Sequence, residues 1–182
     1  MKIGISQRIL YHNGIPYDSI DQNWYRFLKD FEIYTIPNRV DQNFKNIVSN
    51  IDLFIISGGD SSPLRTKVET MITNEMMLYT KPILGVCHGA FFLNSFFSGT
   101  ITTCNDHYNT THKVMIDDEK HIVNSFHQLQ IATPPPGSSV LAVDLDGFCE
   151  SWIFNNIGAI VWHPERMENP VIPKTIIDNF FK

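Results

Sequence analysis

Gly85-Val86-Cys87-His88-Gly89 sets a thiol between two glycines, each two residues away, directly after the apolar run Ile83-Leu84-Gly85-Val86. This is the spacing of a nucleophile elbow, a sharp turn between a buried strand and a helix that presents a reactive side chain at its tip. Such a turn needs neighbours without β-carbons. A thiol at a helix N-terminus lies among backbone N–H groups that favour negative charge, and the N–H of His88 can donate to an oxyanion in the same space. A cysteine nucleophile also needs a base, and that base needs an acceptor to orient it. Trp162-His163-Pro164-Glu165 offers both: in extended chain His163 and Glu165 point to one side, and Pro164 stiffens the pair. Gly58 and Gly59 follow the apolar run Ile55-Ile56, where backbone N–H groups can approach a ligand and complete an oxyanion hole. Each segment has a plainer reading, a buried structural cysteine, a surface turn or a strand end; the elbow outweighs its own, and the other two gain weight from it. Together they point to acyl transfer through a thiol.

The elements that must position these residues alternate. Strands are expected at Lys2–Ser6, Phe31–Ile36, Asp52–Ile56 and Ile83–Val86, and helices at Asp21–Asp30, Phe44–Val48, Leu64–Tyr79 and Gly89–Phe96. The near-continuous apolar strands suit a parallel sheet buried on both faces. Val68, Met71, Ile72 and Met76 recur at helical spacing, and the methionines Met71, Met76 and Met77 read as core fillers. Shorter strand candidates follow at Lys120–Val123, Val140–Val143, Cys149–Phe154 and Ala159–Trp162, without long helices between them, and a helix follows Pro173. The predicted class is therefore α/β: a three-layer, flavodoxin-like sheet, mostly parallel with antiparallel additions in the second half, and helices on both faces. Length and the absence of an internal repeat predict a single domain over residues 1–182.

Composition narrows the function classes. With 43% hydrophobic and 18% charged residues the chain can build a core, which excludes a disordered or low-complexity protein. A net charge of −5 argues against a nucleic-acid partner, and no apolar run is long enough for a membrane span. Met1 to Arg8 reads as a first strand, with no leader expected. Three scattered cysteines do not make a disulfide framework, so a reduced, cytoplasmic protein is expected. Cys104, His107 and His112 have spacings that invite a metal assignment, but no fourth ligand is close in sequence. No metal and no organic cofactor are expected. Asn105 to Lys113 reads as a polar loop rich in hydrogen-bonding groups, either simply solvated or, through His107, a candidate substrate contact.

In their order along the chain these segments resemble the class I glutamine amidotransferase family, and within it the γ-glutamyl hydrolase branch. The resemblance rests on Gly58-Gly59-Asp60-Ser61-Ser62-Pro63, on the elbow, on Val123-Asn124-Ser125-Phe126-His127, on Asp146-Gly147 followed by Glu150, and on Trp162-His163-Pro164-Glu165. It implies a Cys87-His163-Glu165 triad, oxyanion N–H groups from Gly59 and His88, and a γ-glutamyl thioester that water hydrolyses to L-glutamate. The implied partner is a small-molecule γ-glutamyl amide, a nucleotide-linked one included. Substrate contacts are implied from Arg8, Gly58, Asp60, Asn124, Ser125, Phe126, His127 and Gln128. The chain departs from the family pattern where a glutamine is usual, at Phe91, Val161 and Leu129. Two rival expectations stay open: a glutaminase subunit delivering ammonia to a synthase partner, and a non-catalytic thiol redox or binding protein on the same fold. A sensor needs only the activated cysteine, so the His-Pro-Glu segment counts against the second.

Overall fold

The computed structural model describes residues 1–104 and 108–182. In chain order the elements are β1 (Lys2–Ser6), β2 (Arg8–His12), β3 (Ile15–Ser19), α1 (Asn23–Phe27), β4 (Glu32–Ile36), α2 (Phe44–Ser49) and β5 (Leu53–Ile56). They continue with α3 (Pro63–Leu78), β6 (Ile83–Val86), α4 (His88–Phe96), β7 (Thr100–Thr103), β8 (Tyr108–Ile116) and β9 (Glu119–Phe126). The last are β10 (Leu129–Thr133), β11 (Ser139–Asp144), β12 (Cys149–Phe154), β13 (Ile157–Ile160) and α5 (Lys174–Phe180).

One sheet runs β4-β1-β5-β6-β13-β12-β11-β8-β9. Its first five strands are parallel, and from β12 onward every pairing is antiparallel. β5 shows why the strands read as continuous apolar runs. Phe54 and Ile56 pack into one core with α2, α3 and α4, whereas Leu53 and Ile55 pack into the other with α1 and α5. Both faces are covered, giving the three layers expected from the α/β pattern. The carboxyl ends of β5, β6 and β13 lie side by side and lead to Ser57, Cys87 and His163 in turn. That edge is where open α/β sheets bind ligands. Among the described residues no helix is long and apolar enough to cross a membrane.

The structure departs from the sequence-based reading at several points, and β7 and β10 were not expected as strands. β2 and β3 form a separate hairpin around Asn13-Gly14, both at positive φ, which is the two-residue turn that an Asn-Gly pair favours. The helix expected over Asp21–Asp30 is only the five residues of α1. The expected polar loop to Lys113 is instead the strand β8 from Tyr108, paired with β9; His107 lies outside the described residues. Met76 is buried and Met71 half-buried as core residues, but Met77 faces solvent.

Candidate active site

Cys87 stands between β6 and α4 with φ 51° and ψ −104°, a conformation that costs a non-glycine residue about 1–3 kcal/mol. The fold sustains it by packing the strand and the helix almost in contact. A β-carbon on Gly85 would lie 2.4 Å from the Gly89 carbonyl oxygen, and one on Gly89 would lie 2.2 Å from the Ile56 carbonyl oxygen. The two glycines are therefore required by close approach, not by their own dihedral angles. The Cys87 N–H donates to the Ile160 carbonyl at 2.9 Å and ties the turn to β13.

His163 lies where β13 runs out. Its Nδ1 is 2.6 Å from Glu165 Oε1, and both side chains are 1% exposed. The pairing expected from the sequence is present, but its backbone is not extended. Pro164 starts a single 3₁₀ turn, Pro164–Arg166, and that turn folds the carboxylate back onto the ring. Asn124 fixes the His163 backbone from both sides: its amide donates to the His163 carbonyl, and its carbonyl accepts from the His163 N–H, each at 2.8 Å. Phe126 meets the imidazole edge to face at 5.6 Å, with the Arg166 guanidinium 4.7 Å above the Phe126 ring. Burial disfavours the imidazolium. Hydrogen bonding to Cys87 and Glu165, and the charges of both, outweigh that and raise the His163 pKa to about 9. Gly58 passes so close that a β-carbon there would sit 2.3 Å from His163 Cε1.

The turn after β5 is clamped from below by a buried ionic network that sequence reasoning missed. Arg65 Nη2 donates to the Ser57 carbonyl at 2.6 Å, and its Nη1 donates to the carbonyls of Gly58 and Asp60 at 3.3 and 3.1 Å. With these carbonyls drawn toward the guanidinium, the intervening Gly59 adopts φ 118°. Arg65 also donates to Glu69 at 2.8 Å, Glu69 accepts from Ser6 at 2.9 Å, and the second Glu69 oxygen meets His88 Nε2 at 2.8 Å. Burial would raise the Glu69 pKa, but bonding to His88 and the Arg65 charge hold it below the usual carboxylate range. One network thus joins the two candidate oxyanion residues. Its signal was present in the sequence: Arg65 is in helical phase with Val68, Ile72 and Met76 on the buried stripe of α3. Arg65→Met leaves the Glu69 charge buried without one of its two cationic partners and is expected to cost about 3–5 kcal/mol in urea unfolding. Arg65→Met with Glu69→Met is expected to recover most of that loss; a single variant as stable as the parent would contradict the clamp.

Above Cys87 opens a pocket of about 610 Å³, bordered by Gly59, Asp60, His88, His127 and Gln128. Phe91, Phe92, Phe96 and Tyr108 form much of its wall. Phe91, where the family pattern has a glutamine, turns its ring toward His127, with centroids 5.9 Å apart. Among the described residues no Lys or Arg borders this pocket. Arg8 stands apart from it, against Gly59 and beside Gly58 and Glu165. Ser125 is fully buried. A second group missed in the sequence, His112, His127 and Glu150, gathers beside the pocket from strands far apart in the chain.

The family model for glutamine amidotransferase class-I matches residues 16–182. The chain is 30% identical to the gamma-glutamyl-CDP-amidate hydrolase of Campylobacter jejuni, over all of this chain and 98% of that protein. It is 24% identical to the GMP synthase [glutamine-hydrolyzing] of Ehrlichia ruminantium, over 80% of this chain but only 31% of that protein. A glutamine amidotransferase from Thermotoga maritima has the same fold, with a TM-score of 0.70 at 10% identity, covering 90% of this chain and 76% of that one.

Proposed function

Because the chain belongs to the class I glutamine amidotransferase family, we propose that it is a cysteine-dependent hydrolase of a small-molecule γ-glutamyl amide. The observation that supports this is the strained elbow at Cys87 beside the buried His163–Glu165 pair, 2.6 Å apart, at the carboxyl edge of the sheet.

With its pKa at about 9, His163 is an imidazolium at neutral pH, and the nucleophile is the Cys87 sulfur, which attacks as its thiolate. The thiolate attacks the γ-carbonyl carbon, and the oxyanion is received by the N–H groups of Gly59 and His88. Each such donor is worth on the order of 3 kcal/mol. As the C–N bond breaks, His163 transfers its proton to the departing nitrogen, which is a poor leaving group without it. Acylation also consumes the thiolate, one of the two partners that held the proton on His163. The ring is then free to take a proton from water, which adds to the thioester, expels the thiolate and releases glutamate.

The favoured substrate is γ-glutamyl-CDP-amidate, giving cytidine diphosphoramidate for capsule phosphoramidate synthesis in the cytoplasm. The full-length relative with that activity in its name supports this, as does a pocket of about 610 Å³ with aromatic walls on which a base can stack. A diphosphate there would find its positive partners in N–H groups, histidines or a bound cation, since no Lys or Arg borders the pocket among the described residues. The similarity to the GMP synthase favours a second reading, a glutaminase passing ammonia to a synthase partner. Glutamate release from γ-glutamyl-CDP-amidate, a γ-glutamyl polyamine and free glutamine separates them. The nucleotide-linked amide is expected to give a kcat/KM at least about 100-fold above glutamine, roughly 3 kcal/mol of discrimination. Equal or better turnover of glutamine would contradict the substrate assignment and leave the thiol mechanism standing.

A further inference from the structure

We propose that His112, His127 and Glu150 form a binding site for one divalent transition-metal ion of the zinc type in the wall of the catalytic pocket. His112 lies on β8, His127 just after β9 and Glu150 on β12, and their ligand atoms all lie within 4.8 Å of one another. His112 Nε2 and Glu150 Oε2 are 3.4 Å apart. That is long for a charge-assisted hydrogen bond, yet it matches the edge of a tetrahedron with zinc–ligand bonds of about 2.0–2.1 Å, roughly 3.4 Å. His127 Nδ1 is 2.7 Å from the Leu129 carbonyl. A carbonyl only accepts, so Nδ1 donates there and Nε2 is the ring nitrogen that would ligate an ion. A ring N–H given to a backbone carbonyl is the usual outer support of a metal-binding histidine. His127 and Glu150 are buried, and the His112 side chain keeps 13% of its surface open, which leaves the ion a way in.

Two imidazoles and one carboxylate make a His₂Glu set, which suits zinc and leaves a fourth position for water or an anion. A bound dication would also give the pocket wall a positive charge that no Lys or Arg supplies there among the described residues. That consequence rests on the anionic leaving group proposed above; metal binding does not.

The test is titration of the chelator-stripped protein with Zn²⁺, and with Co²⁺ as an optical probe. It is run in the wild type and in Cys87→Ser, because the Cys87–His163 pair could itself hold a soft metal. One ion per chain is expected in both, bound more tightly than about 1 μM at neutral pH. Glu150→Gln and His112→Ala are each expected to weaken binding at least about tenfold and to remove the zinc-induced rise in unfolding temperature. No binding by the wild-type protein, or binding lost in Cys87→Ser and indifferent to Glu150→Gln, would overturn the proposal. Neither result depends on which amide is hydrolysed, so failure of the substrate assignment and failure of the metal site are read separately.

Discussion

Cys87→Ala is expected to lower glutamate release by at least about 10⁴-fold, with the fold intact. The size follows from what is removed. Without the sulfur there is no covalent intermediate, and the imidazole loses one of the two partners that hold its proton. Backbone N–H groups can still polarise a bound carbonyl, so a small residue of activity above water is all that should remain. Cys87→Ser is expected to be almost as inactive. A serine hydroxyl does not ionise against His163 as a thiol does, so the pair that stores the nucleophile is not formed. Stability should change little in either variant, because the elbow is set by the packing of Gly85 on Gly89 and of Gly89 on Ile56, which the substitution leaves in place. Urea unfolding and the rate of glutamate release, measured together, check both halves. A Cys87→Ala protein with undiminished turnover would contradict the role given to the thiol.

His163→Asn is expected to lower acylation by about 10²–10⁴-fold, with the loss dependent on the leaving group. Its burden in acylation is to protonate the departing nitrogen, so an amide of a basic amine should suffer most. An anilide whose leaving group departs as a stable anion should suffer least. The pH profile gives a second readout. Burial opposes the imidazolium, but hydrogen bonds and charge from Cys87 and Glu165 lift its pKa from the ordinary 6.5 to about 9. A raised value means that the favourable pairing is fully present below pH 6.5 and is lost as pH rises through about 9. Single-turnover acylation should accordingly hold through neutral pH and fall on an alkaline limb near 9, and that limb should vanish in His163→Asn. An unchanged acylation rate in the variant would remove His163 from the chemistry.

The parts of this site legible in the sequence are those whose geometry is local. A thiol between close-packed glycines, and a histidine two residues from a glutamate, are short-range patterns, and the structure contains both. Even so, the His163–Glu165 contact is made by a 3₁₀ turn, because Pro164 favours a turn start over continued extension. The parallel half of the sheet was legible because strands buried on both faces read as unbroken apolar runs. The antiparallel half was legible only in part: the expected strands at Lys120–Val123, Val140–Val143 and Cys149–Phe154 fall on β9, β11 and β12, whereas β7, β8 and β10 did not stand out. β8 opens with Tyr108-Asn109-Thr110-Thr111-His112, polar residues that face solvent or one another and so carry no apolar alternation. Least legible were side chains whose partners are distant in sequence. Asn124 reads as a substrate contact, yet both ends of its amide are engaged by the His163 backbone 39 positions away. His112, His127 and Glu150 meet only because three strands bring them together.

The most direct test of the central claim is acid quenching at short times after mixing with a γ-glutamyl amide, followed by mass spectrometry of the intact protein and its peptides. One glutamyl group is expected on the peptide carrying Cys87. It should rise before free glutamate appears and decay as glutamate accumulates. Steady glutamate release with no adduct, or an adduct on any residue other than Cys87, would contradict that claim.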